Sequence, residues 1–209
     1  MRIDPAGWPF IGGAVVLGVG AALAMSSIAG LALFTLAGFF LFFFRDPDRV
    51  ATQAANAVLS PADGRVMVAG TPTGQGSPVG DWHQISIFLS PMDVHVNRMP
   101  VAGRVTKVRY HPGRFLPAYR SEAGDLNEYT EVWVDHEGQS IVVRQIVGVL
   151  ARRIVCRTRE GDQVGAGQRF GVMKFGSRMD VFMPSNAEIK VKVGDRVVGA
   201  ITVIAVLAS

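Results

Sequence analysis

Hydrophobic and polar positions divide this chain into two unlike parts. From Pro5 to Phe44, roughly 40 positions carry no charged side chain, where one bilayer crossing needs about 20. At about 1.5 Å of rise per residue the run is too long for one upright helix. It predicts a pair of short helices, Trp8–Met25 and Ile28–Phe44, with Ser26-Ser27 near the bend. Arg2 precedes the pair, and Arg45 and Arg49 follow it, so the excess of basic residues places both flanks on the cytoplasmic side of the cell membrane. Phe39, Phe40, Phe42, Phe43 and Phe44 crowd the second helix, as aromatics do at a membrane interface. A cleaved signal peptide fits poorly, because the apolar run is too long and a basic leader is nearly absent.

After Asp46-Pro47-Asp48 the pattern changes to short alternating or apolar runs punctuated by glycine and proline. Strands are expected at Gly64–Ala69, Trp82–Leu89, Gly103–Tyr110, Thr130–Asp135, Ser140–Val147, Ile154–Arg157, Met179–Met183, Glu188–Val191 and Ile201–Leu207. Ala118–Asn127 is polar and irregular, the pattern of a mobile loop. Val191–Ala200 reads as a hairpin around Gly194-Asp195, and Glu160–Gly167 repeats its wording. Such Gly-Asp turns also occur in lipoyl-type sandwiches, but no lysine stands at a hairpin tip to carry that group. The expected fold is mainly β. A sandwich or barrel-like domain of many short strands over residues 46–209 follows a membrane-anchoring hydrophobic helical hairpin over residues 1–45.

Charge narrows the partners. Lysine and arginine number 21 against 17 acids, a net charge of +4. A basic domain beside a cytoplasmic leaflet is drawn to anionic headgroups. Nucleic acid is not expected, since the basic residues form no dense cluster and no nucleic-acid motif is present. The single cysteine, Cys156, excludes an internal disulfide, and the scattered histidines give no metal site. Its strand-like setting, Arg-Ile-Val-Cys-Arg, suits a buried, inert thiol.

Three segments carry candidate chemistry. Leu59–Val66 holds Asp63 in a Pro-Ala-Asp-Gly turn, which on its own is ordinary turn chemistry. Phe88–Pro100 holds Asp93, His95 and Asn97 at alternate positions, so in an extended strand all three face one way. Phe175-Gly176-Ser177 offers an uncrowded glycine carbonyl followed by a hydroxyl. An aspartate, a histidine and a serine from separate segments can build a hydroxyl-activating relay, with the histidine taking the serine proton.

Four segments together resemble the phosphatidylserine decarboxylase proenzymes of the short, membrane-attached prokaryotic type. They are Ser60-Pro-Ala-Asp-Gly-Arg65, Ser90-Pro-Met-Asp-Val-His-Val-Asn-Arg98, Gln145–Cys156 and Arg169–Asp180, the last containing Lys174-Phe-Gly-Ser177. The resemblance runs from about Arg45 to the C-terminus. It implies that the chain cuts itself between Gly176 and Ser177, giving a β chain of residues 1–176 and an α chain of residues 177–209. The two chains are expected to stay associated. Ser177 then becomes a covalent pyruvoyl group, the cofactor that takes the amine of phosphatidylserine and supports its decarboxylation to phosphatidylethanolamine and CO2.

By the same resemblance Asp63 and His95 assist the cut, and His95 also assists proton transfer in turnover. Longer members of the family resemble Asp-x-His-x-x-His at the second segment, where this chain has Asp93-Val-His-Val-Asn-Arg98. Either His95 takes the relay role there or His83 or His111 does, and His95 is favoured. Arg98 is permanently charged and a poor base, so it is assigned instead to the substrate phosphate or carboxylate, while His111 belongs to a His111–Pro117 segment that resembles a family loop over the lipid headgroup and is assigned to substrate binding. His83 and His136 are expected to be structural or exposed.

Other readings remain open from the sequence. One is a membrane-anchored β-sandwich that binds or scaffolds partners and never matures. Another is a pyruvoyl enzyme acting on a different amino-acid headgroup. A pyridoxal phosphate enzyme is disfavoured by the scarcity of lysines, Lys107, Lys174, Lys190 and Lys192. Self-association into a homo-oligomer is compatible with the chain but not specified by it.

Overall fold

A computed structural model describes residues 1–72, 76–149, 153–174 and 176–208. It divides into two compact units, Met1–Asp48 and Arg49–Ser209.

In the first unit, helix α1 (Trp8–Ala24) and helix α2 (Ser27–Phe43) form the expected hairpin. Ser26 ends the bend as the N-cap of α2, its hydroxyl accepting the Ala29 N–H at 3.2 Å. The helices meet through small residues. A Cβ on Gly30 would stand 2.6 Å from the Ala22 Cβ, so glycine here sets how closely the two backbones approach. Strands β1 (Arg2–Ile3) and β2 (Arg45–Asp46) pair antiparallel and tie the two ends of the hairpin together. The outward faces are apolar: Leu17, Leu23 and Leu31 are each more than 60% exposed, at 64%, 84% and 65%. A helix that is apolar on every side is suited to lipid rather than water. The segment Pro5–Ala24 is long and apolar enough to cross a membrane, with a mean hydropathy of 1.7.

The second unit is built on one antiparallel sheet of eight strands. In spatial order these are β11 (Gln163–Val164), β7 (Gly103–His111), β8 (Tyr129–His136), β9 (Gln139–Ile146), β13 (Ser177–Pro184), β5 (Trp82–Leu89), β4 (Gly64–Gly70) and β15 (Arg196–Val197). A three-stranded sheet orders β10 (Ile154–Cys156), β12 (Arg169–Met173) and β6 (Val96–Arg98), and another orders β14 (Glu188–Ile189), β16 (Val203–Val206) and β3 (Ala57–Leu59). The core between them holds Ile85, Ile87, Leu89, Met99, Val143, Phe170, Met173, Met179 and Val181, all buried.

The predicted β character and the helical hairpin both hold. Differences lie in the short strands. The two Gly-Asp segments are not hairpins. Each makes a tight turn, with the Asp162 carboxylate accepting the Arg159 N–H at 2.8 Å and the Asp195 carboxylate accepting the Lys192 N–H at 3.0 Å. Each turn then feeds a two-residue strand, β11 or β15, to opposite edges of the large sheet. Edge strands this short leave little unpaired backbone. The Ala118–Asn127 segment, expected as a loose loop, buries Ala118 and Ala123 and contains a helical turn, α3 (Ala123–Leu126). Arg120, Ser121, Glu122 and Asp125 stay exposed while Ala118, Ala123 and Asn127 turn inward, and so its composition hid its burial.

Candidate active site

Strand β5 gathers the candidate residues at its C-terminal end. Ser177, the first residue of β13, is in register with Leu89, the last of β5. On the other side of β5, Arg65 pairs with Phe88, which brings Asp63 to the same end. Beyond Leu89 the chain turns and enters β6, which pairs with β12. The Met173 N–H donates to the His95 carbonyl at 3.3 Å, four positions before Ser177. The backbones carrying Asp63 and Ser177 therefore flank the same end of β5, and that of His95 is bonded to β12, four positions before Ser177, although the three lie far apart in sequence.

The Asp93 to Asn97 segment is not one extended strand. Asp93 closes a turn, its N–H donating to the Ser90 carbonyl at 2.9 Å and its carboxylate accepting the Ser90 N–H at 2.8 Å. His95 is fully buried, with Nδ1 3.0 Å from the Asp93 carbonyl oxygen. A carbonyl oxygen only accepts, so Nδ1 carries the proton and Nε2 is the basic nitrogen. Asn97 is buried, and its Oδ1 accepts from Gln145 Nε2 at 2.8 Å. That bond ties the β6 sheet to the large sheet.

The Asp63 carboxylate is fully paired. It is gripped bidentately by Arg49, Nη1 to Oδ1 at 2.6 Å and Nη2 to Oδ2 at 2.7 Å. Oδ1 also accepts the Gly199 N–H at 2.8 Å, and Arg49 Nη1 donates to the Gly199 carbonyl at 2.9 Å. A bidentate pair of this kind is strong and directional. The tautomer of His95 is set by the Asp93 main chain, and the Asp63 carboxylate is occupied by Arg49 and Gly199.

Ser177 is fully buried, and its Oγ has no hydrogen-bond partner among the described residues. Leaving a buried hydroxyl unpaired costs about 1–3 kcal/mol, which a structure tolerates where the group has chemical work to do. Gly176 before it has φ +73°, the left-handed region that favours glycine. Phe175, with which the motif begins, lies outside the described residues, as do 150–152 of the Gln145–Cys156 segment. Beside Gly176 opens an apolar cavity of about 180 Å³ walled by Phe88, Pro91, Pro117, Ala118, Tyr119 and Val149.

Arg98 and His111 do not line that cavity. Arg98 is buried, donates to the Gly167 carbonyl at 3.2 Å and, with Arg49 and Arg169, borders a separate cavity of about 440 Å³. His111 stacks on Tyr129, ring centres 4.3 Å apart. Burial pushes the Tyr129 hydroxyl above its ordinary pKa, against the pull of Arg144. Burial likewise raises the Cys156 thiol. No cluster of three or more histidine, cysteine or acidic side chains able to hold a metal occurs among the described residues.

Three contributors are absent from the sequence reading. Arg49 was legible only as a flanking positive charge. Asn127 donates Nδ2 to the Leu116 and Val147 carbonyls, both at 2.8 Å, and accepts the Leu116 N–H at 2.9 Å, latching the loop before it to the end of β9. Gly148 follows that latch, and a Cβ there would overlap the Gly176 carbonyl oxygen.

The profile of one family, described as phosphatidylserine decarboxylase, matches residues 36–205. A protein of Symbiobacterium thermophilum named phosphatidylserine decarboxylase proenzyme is 45% identical over 199 residues, covering 95% of this chain and 92% of its own length. Proteins of the same name from Mycobacteroides abscessus and Gluconobacter oxydans are similar too. The first is 44% identical over 209 residues, with 98% of this chain and 87% of the relative covered. The second is 47% identical over 174 residues, with 80% and 76% covered.

Proposed function

The chain belongs to the phosphatidylserine decarboxylase family, and from that premise we propose that it cuts itself at Gly176–Ser177 and then decarboxylates phosphatidylserine to phosphatidylethanolamine. It is made as a proenzyme with a processed form of two chains, Met1–Gly176 and the shorter segment from position 177 to Ser209. The observation that carries this reading is Ser177: a buried hydroxyl, unpaired among the described residues, directly after a glycine held in the left-handed conformation.

The steps of the cut follow from these groups. His95 Nε2 accepts the Ser177 hydroxyl proton, and Oγ bonds to the Gly176 carbonyl carbon. The C–N bond between the two residues breaks, and the proton ends on the Ser177 nitrogen, leaving an ester. Loss of the Ser177 Cα proton then breaks the Cβ–Oγ bond and releases the Gly176 carboxylate. Water hydrolyses the remaining dehydroalanine, with ammonia departing as a new carbonyl forms. The balance is one water consumed and one ammonium released.

The residues present fit a pyruvoyl group at position 177, since this small group replaces a side chain that already sits buried without a partner among the described residues. Such a group supplies an electrophilic carbonyl for the lipid amine and a sink for the electron pair left by CO2. His95 Nε2 is assigned to return a proton to the carbon that loses CO2. The apolar walls given by Phe88, Pro117, Tyr119 and Val149 suit the acyl-bearing part of a lipid next to its headgroup. Asp63 supports the site by holding Arg49 and Gly199 in place. Residues 1–45 anchor the enzyme, with the catalytic unit on the cytoplasmic face of the cell membrane.

The test is intact mass measurement on the full chain and on Ser177→Ala. Wild type should split after Gly176, and the shorter chain should carry a carbonyl that hydroxylamine captures. Ser177→Ala should stay a single chain of 22.4 kDa. A wild-type chain that stays whole in its native membrane ends this reading.

A further inference from the structure

We infer that Gly148 is a positioning residue for self-cleavage: its bare backbone is the wall against which the scissile Gly176 carbonyl rests. This inference rests on the reading of Gly176–Ser177 as a self-cleavage site.

Two glycines meet across the bond that breaks, and each is required for a different reason. Gly176 has φ +73°, and a Cβ built on it would meet nothing within 4 Å. Its need for glycine is conformational. Gly148 is the reverse case, with a φ outside the left-handed range. Its φ makes no demand for glycine of the kind Gly176 makes. What forbids a side chain is space: a Cβ there would overlap the Gly176 oxygen and stand 3.2 Å from the Gly176 carbonyl carbon and 3.4 Å from the Ala118 Cβ.

The wall is not free to retreat. Gly148 is buried. Val147 before it is fully buried; its N–H donates to the Glu128 carbonyl at 3.1 Å, and its carbonyl accepts from Asn127 Nδ2 at 2.8 Å. Ile146 is in register with Arg178, so β9 holds this backbone beside the strand that begins with Ser177. With both partners fixed, a methyl group at 148 must displace the carbonyl rather than the wall.

That displacement acts on the reacting atoms. Attack by Ser177 Oγ turns the Gly176 carbon from planar to tetrahedral and swings its oxygen out of the peptide plane. A misplacement of about 1 Å at a reacting centre costs roughly 100-fold in rate. Gly148→Ala should therefore slow the cut about 100-fold, and Gly148→Val should abolish it.

The experiment follows chain splitting over time in full-length wild type, Gly148→Ala and Gly103→Ala. Gly103 is the steric control, because a Cβ there would overlap the carbonyl oxygen of Asp135, which takes no part in the reaction. Thermal unfolding of Gly148→Ala is measured on the non-cutting Ser177→Ala background, against Ser177→Ala alone. The expected result is slow splitting in Gly148→Ala, ordinary splitting in the folded fraction of Gly103→Ala, and a cooperative transition on the Ser177→Ala background. Wild-type splitting in Gly148→Ala overturns the inference alone. So does loss of the cooperative transition, which would make Gly148 a requirement of folding. A wild-type chain that never splits removes the cut itself, a different failure.

Discussion

Arg178 and Asp180 form a buried ion pair along one strand, starting at the residue directly after Ser177. Arg178 Nε donates to Asp180 Oδ1 at 2.6 Å and Nη2 to Oδ2 at 2.9 Å. Nη2 also reaches Ser86 Oγ at 3.0 Å, while Gln84 donates to Asp180 Oδ2 at 3.0 Å. Alternation along β13 puts this pair on the face opposite Ser177, Met179 and Val181. The pair lies beneath the α3 segment, where Gly124 leaves room for the guanidinium.

Asp180→Ala should cost about 3–5 kcal/mol, because it strands a buried guanidinium. Replacing both partners, Arg178→Met with Asp180→Leu, should recover most of that loss, since neither buried charge remains. Urea unfolding on the Ser177→Ala background separates these effects from the cut. Equal losses in the single and double variants would show that the pair's attraction, rather than the stranded charge, sets the cost. On the proposed cut, this cage would add to the β5 and β9 ladders in holding the new chain end in the sheet. Amide exchange at residues 178–180 should therefore accelerate more in the mature double variant than in its uncut form.

His95 and Asp63 should separate by mutation. His95→Gln removes the base, and general-base catalysis contributes about 10²–10⁴-fold, so splitting should slow by that order. Asp63→Asn cannot grip Arg49 bidentately, but it leaves the Asp93 carbonyl to fix the His95 tautomer. Its splitting should slow far less than that of His95→Gln, with a lowered unfolding temperature as the main effect. Equal slowing in both variants would return the Asp63 carboxylate to the relay.

The sequence made the long strands and the helical hairpin legible because each repeats one signal over many positions. Ile85–Leu89 alternates or stays apolar, and Pro5–Phe44 excludes charge throughout. Strand β12 was missed because Arg169–Met173 is short and centred on Gly171, where the backbone passes close to Gln145. Asp93 was misplaced for a related reason. Alternating polar residues look the same whether they line a strand or cap a turn, and the choice between them is made by the Ser90 N–H. The Asp63–Arg49 contact joins positions whose local sequence says nothing of each other. Gly148 gives no signal beyond its identity, since its constraint comes from a carbonyl 28 positions later.

Asn127 offers a test of the loop that walls the apolar cavity. Asn127→Ala removes the partners of the Leu116 N–H and carbonyl and of the Val147 carbonyl. Stranding such groups costs about 1–3 kcal/mol. The loss should fall on the segment from Pro112 to Leu126, seen as faster limited proteolysis there while the sheet stays resistant. KM for phosphatidylserine in vesicles should rise through displacement of Pro117 and Tyr119. Unchanged proteolysis would show that the latch does not hold this segment.

Cys156 gives a pH dependence of known sign. Burial pushes its thiol above the ordinary 9.0, and a hydrogen bond with the Thr158 backbone opposes this only in part. The folded chain therefore keeps the proton in a range where the unfolded chain has released it. Stability from the neutral, half-buried thiol is complete below pH 9.0 and falls as pH rises from there through the folded pKa. Between about pH 8 and about pH 10, the wild-type unfolding free energy should decline more steeply than that of Cys156→Ala. Alkylation at about pH 8 should be slow in the folded chain and fast in urea, because only the thiolate reacts. Parallel pH profiles for the two proteins would mean that the thiol is ionised as readily in the fold as in the unfolded chain, and that the β10–β12 edge admits water.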